Sequence, residues 1–134
     1  MLYSERVLEE FYNPQNVGVI KGANGKGKIV SQDTREIMKI FIQVENGVVE
    51  DAQFQTFGGV VAIAATSVAT RLMIGKTLKQ VGKISKEDIL KELGGDVPEC
   101  KMYCIQMAEE TVKDSLVSYE KRSKGGKYST EDDD

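Results

Sequence analysis

The sequence predicts an α+β fold, with one three-stranded antiparallel sheet packed against several helices, the last of them long. Three observations carry this. Strand patterns cluster between Lys28 and Phe57. A turn at Glu45–Gly47, with Asn and Gly at the positions that need positive φ, joins the two strongest patterns as a hairpin. From Val60 onward the apolar period becomes helical.

Taken in order, Ser4 is placed to cap a first helix, in which Val7, Leu8, Phe11 and Tyr12 fall at helical spacing. Asn13-Pro14 ends it, because the residue before proline disfavours the α region. The stretch NVGVIKGANGKGK reads as loop, and KIVSQ, Lys28 to Gln32, as a short strand. In EIMKIFIQV, Met38, Ile40, Ile42 and Val44 alternate onto one apolar face that should meet the core. VVEDAQFQTF returns across the hairpin with Ala52, Phe54 and Thr56 on one face. VVAIAATSVATRLMIG is a small-residue helix ended by Gly75. Its Val and Thr are mediocre helix formers, so packing must hold it. Thr77 and Ser85 look like caps, and Ser85 to Leu93 is a short helix closed by Gly94-Gly95. A final helix runs from about Cys100 to Arg122, with Tyr103, Met107, Val112, Leu116 and Tyr119 as its apolar stripe. Residues 1–122 form one domain, and residues 123–134 read as a disordered acidic tail.

Composition narrows the function. The chain of 134 residues is 40% hydrophobic and 29% charged, with a net charge of −3 and no basic run, which argues against a nucleic-acid surface. No apolar run approaches the roughly 18 residues of a membrane span, and the N-terminus lacks the pattern of a signal peptide, so the expected location is cytoplasmic. There is no histidine, which excludes a Ser-His-Asp triad and a His-based zinc site. The two cysteines, Cys100 and Cys104, lie one helical turn apart and should point the same way, better placed to bind one metal than to form a structural disulfide in a reducing compartment. The bland reading of the pair is as small buried hydrophobes. At the strand-to-helix junction FQTFGGVVAIAATS, the tip formed by Gly58, Gly59 and Val60 carries no reactive side chain.

The segments LEEFYNPQNVGVI, GGVVAIAATSVAT, GKTL and CIQMAEETVKDSL resemble the NifU/IscU-type scaffolds of iron–sulfur cluster assembly, in order and over about Val7 to Tyr119. The resemblance implies three cysteines around a nascent cluster, with a nearby aspartate. At those positions this chain carries Thr34 for the first cysteine, Arg35 for the glycine after it and Glu36 for the aspartate. Gly59 stands for the second cysteine and Val60 for the glycine after it. Tyr103 stands for a histidine, and Cys104 retains the third cysteine. The segment that a chaperone partner recognises in the family reads VPECK here and keeps only Pro98 and Lys101.

The site expected from this is Cys104 and Cys100, with Glu36 and Asp33 as oxygen donors, holding iron or a [2Fe–2S] cluster; zinc is the poorer fit. Two chains meeting at this face would supply four thiolates, so a homodimer bridged by a cluster is expected. Glu36 is otherwise a solvated acid at the start of an edge strand, and Gly58-Gly59 a tight turn or an anion site at a helix N-terminus. Three functions follow. The first is a scaffold or carrier, not itself an enzyme, supplied by a cysteine desulfurase-type sulfur donor. The second is a degenerate scaffold kept as a protein-binding module. The third is a cysteine-dependent enzyme on the same fold. Whether both cysteines face one exposed site separates the first two.

Overall fold

A computed structural model describes residues 3–125, with Lys124 and Gly125 as backbone alone. The chain forms α1 (Glu5–Tyr12), β1 (Gly25–Val30), β2 (Ile37–Glu45), β3 (Val48–Phe57), α2 (Val60–Met73), α3 (Leu78–Gly82), α4 (Lys86–Glu92), a 3₁₀ turn (Glu99–Lys101) and α5 (Met102–Gly125). The sheet is antiparallel in the order β1-β2-β3, so β2 is its centre.

The alternation in β2 sets the core. Met38, Ile40, Ile42 and Val44 are all buried on the face that meets the helices, together with Ala52 and Phe54 of β3. The hairpin turn has Asn46 at φ 54° and Gly47 at φ 76°, the left-handed geometry its residues favour. Beneath the sheet lies α2, buried from Val61 to Thr70 except for Ile63. Its two buried threonine hydroxyls donate within the helix, Thr66 Oγ1 to the Ala62 carbonyl and Thr70 Oγ1 to that of Ser67. The caps of α3 and α4 are complete capping boxes, Thr77 with Gln80 and Ser85 with Asp88.

Several boundaries differ from expectation, two of them for a clear physical reason. The glycine-rich segment is not all loop, because β1 begins at Gly25. A Cβ on Gly27 would stand 2.3 Å from the Thr111 carbonyl oxygen, and one on Gly25 2.9 Å from that of Ser115. The glycines therefore let the α5 backbone lie directly on the strand. From there α5 also covers the strand's outer edge, with Ser118 Oγ accepting from Lys26 N at 3.0 Å and Asp114 from Lys28 N at 2.9 Å. The second difference is at the last helix, whose α geometry starts at Met102, leaving Cys100 on the 3₁₀ turn before it. At its other end α5 continues to Gly125, past the expected boundary at Arg122, and the remainder of the expected tail lies outside the described residues. The inward face of α5 is Cys104, Ile105, Ala108, Thr111, Val112 and Ser115, with Met107 beside them; Tyr103, Leu116 and Tyr119 of the expected stripe are half-buried.

The N-terminal segment is fastened by polar groups. Glu10, 5% exposed, accepts from Arg6 Nη2 at 2.7 Å, Arg71 Nη2 at 3.1 Å and Ser67 Oγ at 2.6 Å. Ser67 Oγ in turn accepts from Gln15 N at 2.7 Å, and Asn16 Nδ2 donates to Thr70 Oγ1 at 3.2 Å. Asn16 and Gly18 then pair with Phe54 on the outer side of β3. The YNPQNVG segment thus ties α1 to α2 and covers the sheet's second edge.

Burial pushes the Glu10 carboxyl up, but the hydrogen bonds from Ser67 and Arg6 and the charges of Arg71 and Arg6 outweigh it and hold the group below its ordinary 4.5. The stability this adds is present above that ordinary value and is lost as pH falls through the lowered folded value. Glu10→Gln is expected to cost about 1–3 kcal/mol at neutral pH. Urea unfolding of the variant should also show a shallower loss of stability on acidification than the parent.

Candidate functional site

The site forms where the start of β2, the N-terminus of α2 and the first turn of α5 meet. Residues 31–36 are a closed turn before β2, with Ser31 N donating to the Glu36 carbonyl at 2.8 Å and Arg35 N to the Ser31 carbonyl at 2.8 Å. Arg35 sits at φ 66°, a left-handed conformation that glycine adopts without strain and arginine does not. The family resemblance puts a glycine at this position, so the backbone shape outlasts the residue.

Glu36 projects from the end of this turn into the angle between the three elements. Its Oε1 accepts from Tyr103 OH at 2.5 Å and from Thr34 Oγ1 at 2.8 Å. Its Oε2 accepts from the Gly59 N–H at 3.2 Å. One carboxylate thus binds a residue from each element, and those residues are Thr34, Gly59 and Tyr103, which occupy the positions of two cysteines and a histidine in the resemblance. Glu36 is neither a solvated acid nor on an edge, since it leads into the central strand and is half-buried. The anion at the N-terminus of α2, weighed above as an external ligand, is this side chain. Gly59 caps α2 without a side-chain hydrogen bond, and the helix's positive end receives the carboxylate instead.

The two glycines have different tasks. A Cβ on Gly58 would lie 2.9 Å from Glu36 Oε2 and 3.0 Å from both Glu36 Cγ and Ala62 Cβ, so glycine is what allows the carboxylate to settle there. A Cβ on Gly59 would meet nothing within 4 Å, and its φ of −88° suits any residue.

Cys104 follows Tyr103 on α5, 1% exposed among core side chains. Burial first, and the Glu36 charge second, push its thiol up to about 11, against the opposing effects of the Tyr103 hydroxyl and Lys101. The Tyr103 phenol is raised strongly, chiefly because its hydroxyl donates a hydrogen bond to Glu36, and secondarily by burial. Burial pushes Glu36 up as well, yet its donors, Tyr103 first, then Thr34 and Gly59, together with the Lys101 charge, leave it below the ordinary carboxylate value. At neutral pH the site is therefore one carboxylate, one phenol and one thiol. Beside it runs a groove of about 430 Å³ whose lining includes Val30, Asp33, Thr34, Tyr103 and Glu110.

The structure brings together Glu36, Thr34, Gly59, Tyr103 and Cys104, but not Cys100. The expectation that both cysteines share one helical face is corrected, because Cys100 is exposed on the 3₁₀ turn while Cys104 is buried. An iron–sulfur cluster asks for thiolates, usually four. Among the described residues no group of three or more His, Cys, Asp or Glu side chains could hold a metal ion. Sequence reasoning treated Thr34 and Tyr103 as lost ligands and missed them as hydrogen-bond donors. The available signal was that two hydroxyl residues replace ligands in a site that keeps an acid.

A three-stranded antiparallel sheet backed by helices, with three element ends converging beside a cysteine, defines an α+β protein with one composite site. The chain belongs to the NifU-like N terminal domain family, whose model matches residues 2–125. It is 38% identical over 118 residues to the iron–sulfur cluster assembly scaffold protein IscU 1 of Archaeoglobus fulgidus, covering 88% of this chain and 76% of that one. It is 37% identical over 123 residues to the IscU scaffold protein of Haemophilus influenzae, covering 89% and 96%. A relative in Drosophila melanogaster, 39% identical over 122 residues and covering 88% of this chain and 78% of that one, is named an iron–sulfur cluster assembly enzyme. The fold matches the N-terminal NifU-like protein of Brucella abortus with a TM-score of 0.71 at 19% identity, covering 89% of this chain and 94% of that one.

The glycine pair gives a contrast that unfolding measurements can check. Gly58→Ala is expected to cost about 1–3 kcal/mol by displacing Glu36, whereas Gly59→Ala should stay within about 0.5 kcal/mol of the parent. Equal effects would mean that the carboxylate does not rest on Gly58.

Proposed function

We propose that this chain acts in iron–sulfur cluster assembly as a scaffold, receiving iron and sulfide and handing on what it holds. The observation that carries this reading is the convergence of residues 34–36, 58–59 and 103–104 on one carboxylate beside one thiol. The resemblance places the family's ligands at these same positions, and the relatives are named scaffold proteins. Iron or a [2Fe–2S] cluster is cargo here. Cys104 and Glu36 are the ligands this chain contributes, and Cys100 is a second, exposed thiol on the turn before α5.

One chain falls short of the usual four thiolates, so the remaining ligands come from outside it. A second copy in a homodimer supplies two more thiols, and a cysteine desulfurase-type sulfur donor supplies a thiol of its own. The chain itself catalyses no reaction in this reading, because sulfur is released by the partner. Zinc, which favours closed tetrahedral sites of Cys and His, is the poorer match. Among the described residues no helix is long and apolar enough to cross a membrane. The cytoplasm is the proposed location, and a Yarrowia lipolytica relative is named as mitochondrial.

Anaerobic reconstitution with iron and sulfide tests the reading. About two irons and two sulfides per two chains are expected, abolished by Cys104→Ser and reduced by Cys100→Ser. Restoring thiols with Thr34→Cys and Gly59→Cys should raise the iron retained per chain, since Gly59 has room for a side chain. Loss of binding in neither serine variant, or no binding at all, would overturn the scaffold reading.

A further inference from the structure

We infer that Glu36 is an internal latch that closes the ligand site by protein groups alone, and that iron reaches Cys104 only when Tyr103 releases the carboxylate. This deepens the scaffold reading and rests on it for the identity of the cargo.

The geometry of the carboxylate carries the inference. Two oxygens offer about four lone-pair sites. Oε1 takes two hydroxyl donors, Tyr103 at 2.5 Å and Thr34 at 2.8 Å, and Oε2 takes the Gly59 N–H at 3.2 Å. Three donors take three of these sites and leave one on Oε2, so a hard metal ion that coordinates through Oε1, or through both oxygens, displaces a protein donor. The donors come from three separate parts of the chain, so releasing them also frees three segments from one another. Such bonds to an ionised acceptor are the strong class of protein hydrogen bond. No buried side-chain nitrogen or oxygen among the described residues lacks a partner, so the released groups have no unpaired group waiting for them in the core.

The thiol is shut in by the same arrangement. Cys104 is 1% exposed and directly follows Tyr103, the latch's donor from α5. An ion approaching from the side of Thr34 and Tyr103 meets the closed carboxylate first. Moving the first turn of α5 away from Glu36 is what opens the way. Tyr103 is therefore a positioning residue: it touches no cargo, and it sets how often the site is open. A closed form that dominates lowers apparent affinity by the fraction of molecules that are open, and a substitution that weakens closure removes that penalty.

Tyr103→Phe keeps the ring and removes the donor, Thr34→Val removes the second donor, and Glu36→Gln removes the acceptor's charge. Backbone hydrogen exchange of the full chain in chelator reads closure. Anaerobic titration with Fe²⁺ reads access. Tyr103→Phe is expected to speed exchange at the Gly59 amide and in residues 101–104 about tenfold, and to tighten Fe²⁺ binding by a similar factor. Thr34→Val should do the same more weakly. Glu36→Gln should speed exchange yet weaken Fe²⁺ binding, because it removes a ligand with the latch. That opposite pair of signs separates a latch from a merely structural contact. Exchange unchanged in all three variants overturns the latch, as does faster exchange in Tyr103→Phe with Fe²⁺ bound no more tightly than in the parent. Faster exchange with no Fe²⁺ taken up by any of the proteins would retire the cargo reading while leaving closure by Glu36 standing.

Discussion

A half-buried carboxylate must be matched by donors, and the way Glu36 meets that demand organises the functional end of this molecule. Its three donors are a hydroxyl from its own turn, the N–H that opens α2 and a phenol from α5. Each imposes a local condition. Between Thr34 and the Glu36 it donates to, Arg35 holds a left-handed backbone. Gly58 gives up a side chain so that the carboxylate can lie against the turn. α2 begins without a side-chain cap because an acid from a distant part of the sequence serves its positive end.

That meeting is possible because the frame places α5 with little freedom. Gly25 and Gly27 admit its backbone against β1, and Ser118 and Asp114 bind the strand's outer N–H groups. The helix is thereby fixed along its length, and its first turn delivers Tyr103 and Cys104 to the base of the central strand. On the other side, the Glu10 cluster fixes α1 and residues 15–18 to α2 and β3. The site is thus built on three held elements rather than on free loops, the condition under which a small change in one donor is felt by the others.

The frame was legible where the signal is local. The alternation of Met38, Ile40, Ile42 and Val44 gave the core face, Asn46-Gly47 the hairpin, and Ser4, Thr77 and Ser85 the helix starts. The start of β1 was not legible, although KIVSQ marked its second half, because nothing near Gly25 and Gly27 tells that a helix about ninety residues later will press on them. The exposure of Cys100 was hidden for a different reason, since a 3₁₀ turn shifts angular position within three residues of a helix start. At the site, the resemblance pointed to Thr34, Glu36, Gly59, Tyr103 and Cys104, which the structure brings together. What they do in this chain depends on hydrogen bonds between residues up to 67 positions apart, which spacing does not reveal.

The central claim is that Glu36 and Tyr103 hold each other and that the site's closure depends on it. A double-mutant cycle measures this directly, using unfolding free energies of the parent, Glu36→Gln, Tyr103→Phe and the double variant. The account predicts a coupling of about 1.5 kcal/mol or more, as for a hydrogen bond to an ionised group. A coupling indistinguishable from zero would contradict it, leaving the carboxylate and the phenol as neighbours with no shared task.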